Sequence, residues 1–207
     1  YSFSYNINKK FNSKNTISVG FISDIIHFNY ADSVLNNSSY YRVLTDFSGT
    51  SALIQGYGSW QHRFSDKVTL NSGLHYQQFL FNNSYAIEPR IGLKWNFLPN
   101  QFLSAAAGMH SQIQTMRLYF YETELPDHTY IQTNKNMDMT QSNHYVIAYD
   151  NQLSENWRIK VEGYYQDINN VPVETAPSTY STLNIGADYV SPNEDSLVNN
   201  GTGKNIG

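Results

Sequence analysis

The stretch that decides the fold of this chain is Tyr85-Ala86-Ile87-Glu88-Pro89-Arg90-Ile91-Gly92-Leu93-Lys94-Trp95-Asn96-Phe97. Its odd-numbered residues are apolar, and its even-numbered residues are small, polar or charged. Because successive side chains of a strand point to opposite faces, this alternation predicts one apolar and one charged face. Two environments suit such a strand. In a soluble sandwich the apolar face packs on a second sheet; in an outer-membrane barrel it meets lipid, and the charged face lines a wet or plugged lumen.

The same alternation recurs along the rest of the chain. Strand-like stretches lie at 1–9, 15–30, 49–64, 67–81, 85–97, 101–113, 142–153 and 156–170. A helix needs apolar residues three and four positions apart, and no long stretch shows that spacing. The sequence therefore predicts an all-β fold of about eight antiparallel strands.

Composition favours the lipid environment. Only 14% of the 207 residues are charged, 15% are aromatic and 17 are tyrosines, whereas ordinary soluble domains carry about 25% charged residues. Mean hydropathy is −0.50, and no apolar run approaches the ~18 residues of a membrane helix. A transmembrane β-barrel has this composition, because its apolar residues are diluted by alternation.

The connections between the predicted strands alternate in length. Short ones are expected at Phe11–Lys14, Ser65–Asp66, Leu98–Asn100 and Ser154–Asn156, and long ones at Ala31–Ser48, Thr115–Gln141 and Val171–Thr202, with a brief one near Asn82–Ser84. This order places the short turns at one end of the sheet, as in outer-membrane barrels with tight periplasmic turns. Aromatic residues flank these turns, as expected for a belt at the membrane interface: Phe64, Trp95, Phe97, Phe102 and Trp157.

Two stretches depart from the pattern, 15–30 and 49–64, where the large residues Tyr57 and Trp60 fall on opposite faces. In 15–30 the apolar face changes after Phe21, since Ile22, Ile26 and Phe28 are out of phase with Ile17 and Val19. Either a β-bulge or a strand that continues above the membrane explains this change.

The stretch Glu88-Pro89-Arg90-Ile91-Gly92-Leu93-Lys94-Trp95 resembles a recurrent strand of TonB-dependent outer-membrane receptors. In that family an Ile/Leu-Glu-Pro-Arg strand is followed by a short turn and an Ala/Gly-rich strand, which here is Phe102–His110. The similarity continues in Ser142–Tyr149, Trp157–Tyr165 and Gly201–Gly207, and the last of these resembles the opening of another strand. The resemblance spans most of residues 60–207.

The resemblance implies an integral outer-membrane protein of a Gram-negative cell. Its antiparallel up-and-down transmembrane barrel would have about 22 strands and enclose an N-terminal plug domain. Residues 1–207 are then a segment of that barrel, with both ends truncated and neither a plug nor a TonB box visible. The implied partners are outer-membrane lipid, the plug and, through it, TonB. The implied activity is uptake of a large or scarce nutrient such as a siderophore, haem, glycan or peptide. Which ligand is taken up, and whether a surface lipoprotein covers the mouth, stay open.

Two other classes of protein fit the alternation. One is a passive porin or a small structural outer-membrane barrel. The other is a soluble all-β surface binding module, which salt alone would extract from cells.

Two groups of residues are candidates for function. Charged residues on the predicted lumen face either contact the plug or ligand or pair across strands, and they are Glu88, Arg90, Lys94, Arg158, Lys160 and Glu162. Aromatic residues of the long loops are ligand-contact candidates, because rings at a wet mouth stack on sugars, siderophores or peptides: Tyr40, Tyr41, Tyr119, Phe120, Tyr121 and Tyr130. The alternative is that these loops pack on themselves or continue the strands.

Several functions are not expected. A net charge of −4 argues against a nucleic-acid partner, and the absence of cysteine excludes disulfides and thiolate metal sites. The six histidines, including His110 and His144, lack metal-ligand spacing, and no nucleophile or phosphate-loop motif occurs. We therefore expect a non-enzyme with no catalytic residues, cofactor or metal.

Overall fold

A computed structural model describes residues 1–36, 40–184 and 196–207. In this part of the chain nine strands form one antiparallel sheet. They are Ser2–Lys10 (β1), Asn15–Asn36 (β2), Tyr40–Arg63 (β3), Val68–Phe79 (β4), Ser84–Leu98 (β5), Gln101–Gln112 (β6), Thr140–Gln152 (β9), Arg158–Glu174 (β10) and Leu197–Ile206 (β11). Between β6 and β9 lie a helical turn, Met116–Tyr119 (α1), and a small hairpin of Thr123–Glu124 (β7) and Tyr130–Ile131 (β8).

The nine strands lie side by side in chain order. This arrangement confirms the all-β, antiparallel prediction, with nine strands rather than about eight. The additional strand is β11, which contains the strand opening expected at Gly201–Gly207. Among the described residues β1 and β11 are the two outermost strands and do not pair with each other. The sheet is therefore open, and the closed transmembrane barrel stays a prediction.

The predicted loop at Ala31–Ser48 is wrong. The β2–β3 ladder continues as far as Asn36 and Tyr40, and residues 37–39 lie outside the described part. The ladder between β3 and β4 ends at Leu53 and Phe79, so the tip of the hairpin extends about 40 Å beyond β4 along the strand. The loop at Val171–Thr202 is likewise shorter than predicted, because β10 ends at Glu174 and β11 begins at Leu197. Part of it, residues 185–195, is not described.

The short connections are where the sequence places them. Residues 11–14, 64–67, 99–100 and 153–157 join β1 to β2, β3 to β4, β5 to β6 and β9 to β10. Because the strands are antiparallel and adjacent, these four turns share one end of the sheet, the short-turn end. The opposite, long-loop end carries the connections at 80–83, 113–139 and 175–196.

A row of direct strand partners lies farther from the short-turn end in β5, β9 and β10 than in β2 and β3. Ile17, Trp60, Ile91, Tyr145 and Tyr165 lie on one row of partners across the sheet. In β2 this row is two residues from the short-turn end, in β3 three residues, and in β5, β9 and β10 seven residues. The sheet is therefore staggered, as strands must be when a sheet closes into a barrel.

The two faces of the sheet differ as the alternation predicts. The apolar face is defined by Tyr85, Ile87, Ile91, Leu93 and Trp95 of β5, each of which is at least 43% exposed. It extends across the sheet through Tyr5, Val19, Leu74, Ile147 and Val161, which are 52–62% exposed. Soluble monomers rarely expose an apolar surface of this extent, so this face requires a covering partner or an apolar solvent. The opposite, polar face is defined by Ala86, Glu88, Arg90 and Lys94.

Residues 113–139, which we call the cap, fold onto the polar face near the long-loop end. The buried aromatic and methionine side chains of the cap pack against strand residues from β2 to β5 and β11. The cluster comprises Phe28, Phe79, Ala86, Leu118, Tyr119, Phe120, Met137, Met139, Tyr180 and Leu197. The main hydrophobic core therefore lies between the cap and the sheet. No helix in the described ranges is long and apolar enough to cross a membrane.

The cap explains why the apolar face changes within 15–30. The ladder between β2 and β3 is regular through Phe21 and Ile22, and its first irregularity lies between Asp32 and Ser33. No bulge therefore accounts for the change. Phe28 points from the polar face into the cap, where its ring lies 5.1 Å from that of Phe120. The strand does continue, as the second explanation requires, and its other face becomes apolar where the cap covers it. That this part of the strand lies above a membrane stays a prediction.

Candidate functional site

The lumen-face candidates do share one face of the sheet. Lys94 of β5 lies opposite Ser104, which lies opposite Ala148, which in turn lies opposite Glu162 of β10. Because direct partners point to the same face and alternate residues of a strand share a face, Glu88, Arg90, Arg158 and Lys160 belong to it as well.

Four of these residues are paired. Arg158 forms a two-point ion pair with Asp150, in which Nε lies 2.7 Å from Oδ1. Lys160 Nζ donates to Glu162 at 2.6 Å, and Lys94 Nζ lies 4.1 Å from the centre of the Phe102 ring. Arg158 and Asp150 pair across strands, as the alternative to ligand contact expects, whereas Lys160 and Glu162 pair within β10. A role of this face in contacting a plug or ligand stays a prediction.

Glu88 is the most enclosed charge on the polar face, with only 1% of its surface exposed. One carboxylate oxygen, Oε2, accepts from Arg90 Nη2 at 2.6 Å and lies 2.9 Å from His75 Nδ1. The other, Oε1, accepts from Gln77 Nε2 and from the backbone N–H of Ser111, both at 2.7 Å. A buried carboxylate needs such partners, because an unpaired one is strongly destabilising.

The network extends from Glu88 toward β2. His75 Nε2 lies 3.2 Å from Gln55 Oε1, and Gln55 Nε2 donates to Asp24 Oδ2 at 3.3 Å. Both ring nitrogens of His75 therefore face oxygen atoms. A continuous polar chain thus joins β2, β3, β4, β5 and β6. The alternation in sequence places each of these residues on the polar face, but it does not show which strands are neighbours.

The Glu-Pro-Arg motif marks the point where β5 and β6 separate. Pairing between these strands runs from Leu98 to Arg90, which lies opposite Gly108, and no pair follows toward Ser84. Pro89 has no N–H to donate at the first residue beyond. The Glu88 carboxylate instead accepts the N–H of Ser111 and so replaces a ladder hydrogen bond. The motif therefore has a structural role that its sequence alone does not reveal.

His110 and His144 lie side by side on the polar face. Their ring centroids are 4.8 Å apart at 67°, and His144 Nε2 contacts the Gln166 amide at 2.5 Å. With Arg90 they border a concavity of about 390 Å³ whose floor is made of small residues, including Gly73, Gly92 and Gly108. No group of three or more metal-ligating side chains is found in the described part of the chain.

The loop candidates fall into two groups. Tyr119 and Phe120 are completely buried in the cap and Tyr121 is 5% exposed. These rings pack within the protein, as the alternative for these loops expected. Tyr40, Tyr41 and Tyr130 are 50%, 70% and 37% exposed at the long-loop end. Ligand contact by these three stays a prediction.

Phe120 is the centre of the cap. Its ring stacks on Phe47 at 4.1 Å and 12°, and the ring of Phe81 meets it edge-on at 4.8 Å. Arg117 of the cap pairs with Asp32 of β2 at 2.7 Å, and the Glu122 N–H donates to the Leu44 carbonyl. The cap is therefore bonded along the β2–β3 hairpin. Sequence reasoning missed Phe47 and Phe81 as partners, although the change of face before Phe28 signals an apolar contact.

Burial raises the pKa of Tyr119 to about 12, and its hydroxyl accepts the Gln114 N–H at 3.0 Å. The folded state thus holds the phenolic proton more tightly than the unfolded chain, whose tyrosines ionise near pH ~10. This contribution to stability is complete below pH ~10 and is lost as the pH rises toward ~12. We expect the melting temperature of the wild type to fall more steeply over this range than that of Tyr119→Phe. Parallel profiles for the two proteins would contradict the burial of this phenol.

Comparisons with known proteins add no family assignment. No protein-family model matches the chain, and no curated protein matches it.

Proposed function

We propose that this chain is part of the wall and mouth of an outer-membrane receptor of the TonB-dependent type. Its role is binding and active uptake of a large or scarce nutrient, without catalysis. The observation that carries the proposal is the exposed apolar face of the staggered sheet, backed by a face of ion pairs. Lipid outside and a wet or plugged interior provide the two environments that such a sheet requires.

The dimensions of the apolar face support this proposal. Stacked rings of Tyr76 and Tyr85 lie toward the long-loop end, and Trp95 lies near the short-turn end. Tyr85 and Trp95 are ten residues apart, which is about 33 Å along a strand. With the ~40° tilt of barrel strands this span becomes about 25 Å, the height of the apolar band between the aromatic girdles of outer-membrane barrels.

The open edges of the sheet also support a larger barrel. β1 and β11 each leave one row of backbone groups unpaired within the described residues. Hydrocarbon offers no hydrogen bonds to such groups, so further strands must pair with both edges in a membrane. A receptor of about 22 strands supplies them.

Single cysteines test the orientation, since the chain has no cysteine of its own. We expect Tyr130→Cys, at the long-loop end, to react with a membrane-impermeant maleimide on intact cells. Asp66→Cys, at the short-turn end, is expected to react only after the outer membrane is permeabilised. Ile91→Cys, in the centre of the apolar face, is expected to react only after denaturation. Reaction of all three on the folded protein in detergent-free buffer would favour a soluble module and overturn the proposal.

Conductance in a planar bilayer separates a plugged receptor from a passive porin. We expect the protein, purified in detergent and inserted into the bilayer, to show no steady ion conductance, because a plug closes the lumen. A steady open pore would instead establish the passive class.

A further inference from the structure

A polar cleft opens at the long-loop end of the sheet, between the start of β5 and the end of the cap. It has a volume of about 450 Å³. Asparagine, glutamine and aspartate supply just over half of its lining residues: Asn82, Asn83, Asn136, Asp138, Gln141 and Asn170. The rest are Ser84, Tyr85, Ala86, Ile87 and Met139, of which Tyr85 is 63% exposed. The proposed function uses Tyr85 and Ile87 as part of the apolar face, but it assigns no role to the polar residues of the cleft.

The separation of β5 from β6 creates the cleft. Beyond Arg90 no β6 residue pairs with β5, and the end of the cap occupies the far side of the gap. The Glu88 carboxylate closes the bottom of the gap by accepting the Ser111 N–H. The Glu-Pro-Arg motif of β5 therefore also shapes the cleft.

The wall of the cleft is held in place. The Asn82 amide donates to the carbonyls of Lys135 at 3.1 Å and Met137 at 2.9 Å, and its oxygen accepts the Ser84 N–H at 3.0 Å. Asn83 and Asn170 have φ angles of 60° and 58°, in the left-handed region that asparagine tolerates better than most residues. A site with fixed side chains loses little conformational freedom when a ligand binds.

The chemistry of the lining selects among ligands. Amides offer both donors and acceptors, and the exposed Asp138 carboxylate accepts only. Among the residues that the structure describes, no lysine or arginine lines the cleft, so an anion would meet a carboxylate without a compensating cation. A purely apolar ligand would leave the amides unpaired. A sugar ring fits both features, because its hydroxyls donate and accept while its C–H face packs on an aromatic ring.

The aromatic ring is available beside the polar groups. Tyr85 stacks on Tyr76 with ring centroids 6.2 Å apart at 30°. This contact with Tyr76 holds the exposed Tyr85 ring in place. An aromatic platform next to amide and carboxylate groups combines the two contacts that a neutral saccharide makes. We propose that this cleft binds a sugar ring, with Tyr85 packing against the ring and Asp138 accepting from its hydroxyls.

Two sources present this chemistry: a free oligosaccharide, and the saccharide headgroup of a glycolipid in the surrounding outer leaflet. The glycolipid headgroup is a possible ligand only if the protein lies in the outer membrane, as proposed above. The chemistry of the cleft does not depend on that location. Maltotriose, mannotriose, N-acetylchitotriose, lipopolysaccharide and its delipidated core oligosaccharide are the probes. Titration calorimetry of the full-length protein in detergent measures their binding.

We expect at least one probe to bind, and Tyr85→Ala and Asp138→Ala to weaken that binding tenfold or more. Tyr145→Ala is the matched control, because Tyr145 is 52% exposed on the same face and stacks on Tyr165 at the same 6.2 Å and 30°. Asp127→Ala, in the turn of the cap, is the control for charge. Both controls are expected to bind as the wild type does, and the melting temperature of each variant monitors folding.

The pattern of binding distinguishes the sources. Binding of a free trisaccharide or of the delipidated core supports a free oligosaccharide, and binding of intact lipopolysaccharide alone supports a glycolipid headgroup. Failure of every probe, or equal affinity of wild type, Tyr85→Ala and Asp138→Ala, overturns the saccharide site. Neither result bears on the cysteine-labelling test, so the two proposals fail separately.

Discussion

Replacing Glu88 with alanine is expected to lower the free energy of unfolding by at least about 1–3 kcal/mol, the usual cost of leaving a buried hydrogen-bond donor without its acceptor. The carboxylate is the common acceptor for Arg90, His75, Gln77 and the Ser111 N–H. Its loss leaves these four donors without this acceptor, and only Arg90, whose side chain is 46% exposed, turns readily to water. It also removes the link between β5 and β6 at the point where their ladder ends.

The loss of stability is measured as the change in the urea concentration at which half of the protein is unfolded. Heat-dependent migration of the detergent-solubilised protein on a gel reports the folded fraction. Glu162→Ala is the matched control. Glu162 also pairs with a cation, Lys160, but both side chains are about half exposed, and exposed pairs contribute little. Equal stability of Glu88→Ala and Glu162→Ala would contradict a central role for the buried carboxylate.

Replacing Phe120 with alanine is expected to release the cap from the sheet. Phe120 is completely buried and contacts the rings of Phe28, Phe47 and Phe81. Large-to-small changes of this kind cost about 3–5 kcal/mol. The cost falls on the contact between cap and sheet, because the strand ladders do not involve this residue. We therefore expect the cap to open locally while the sheet persists.

Hydrogen exchange resolves this local opening. Amides of residues 113–139 are expected to exchange a hundredfold or more faster in Phe120→Ala, in keeping with about 3 kcal/mol of lost protection. Amides of β9 and β10 are expected to change little. Tyr130→Ala, in the same cap but 37% exposed, serves as the control and should exchange as the wild type does. Uniform acceleration through cap and sheet would show instead that the two unfold together.

The alternation in sequence predicts the strands well because one face of each strand is apolar and the other is polar. Tyr85 to Phe97 alternates perfectly, and β5 covers that stretch. The approach fails where the cap covers the polar face. At Phe28 that face becomes apolar to meet the cap, so the period that identifies the strand changes although the strand continues. The length of β2 and β3 is hidden for a different reason, because residues 31–48 lack a clear apolar side.

The candidate site was predictable only in part. The face of Glu88 and Arg90 follows from counting residues, but the partners Gln77 and Ser111 depend on register, which no local pattern reveals. Burial of Phe120 depends on Phe47, more than seventy residues earlier in the chain. The cap itself has no regular period, so its aromatic residues look alike in sequence whether they face a ligand or a core.

The cap has a mechanical consequence for the wall. The backbone ladders of a sheet resist stretching along the hydrogen bonds but permit bending between neighbouring strands. Phe28 on β2 and Leu197 on β11 belong to one packed cluster with the cap, so the cap connects strands near the two edges of the sheet. A connection of fixed length sets how strongly the sheet curves between the strands that it joins. The curvature of the sheet at this end is then determined by the volume of a few aromatic and methionine side chains.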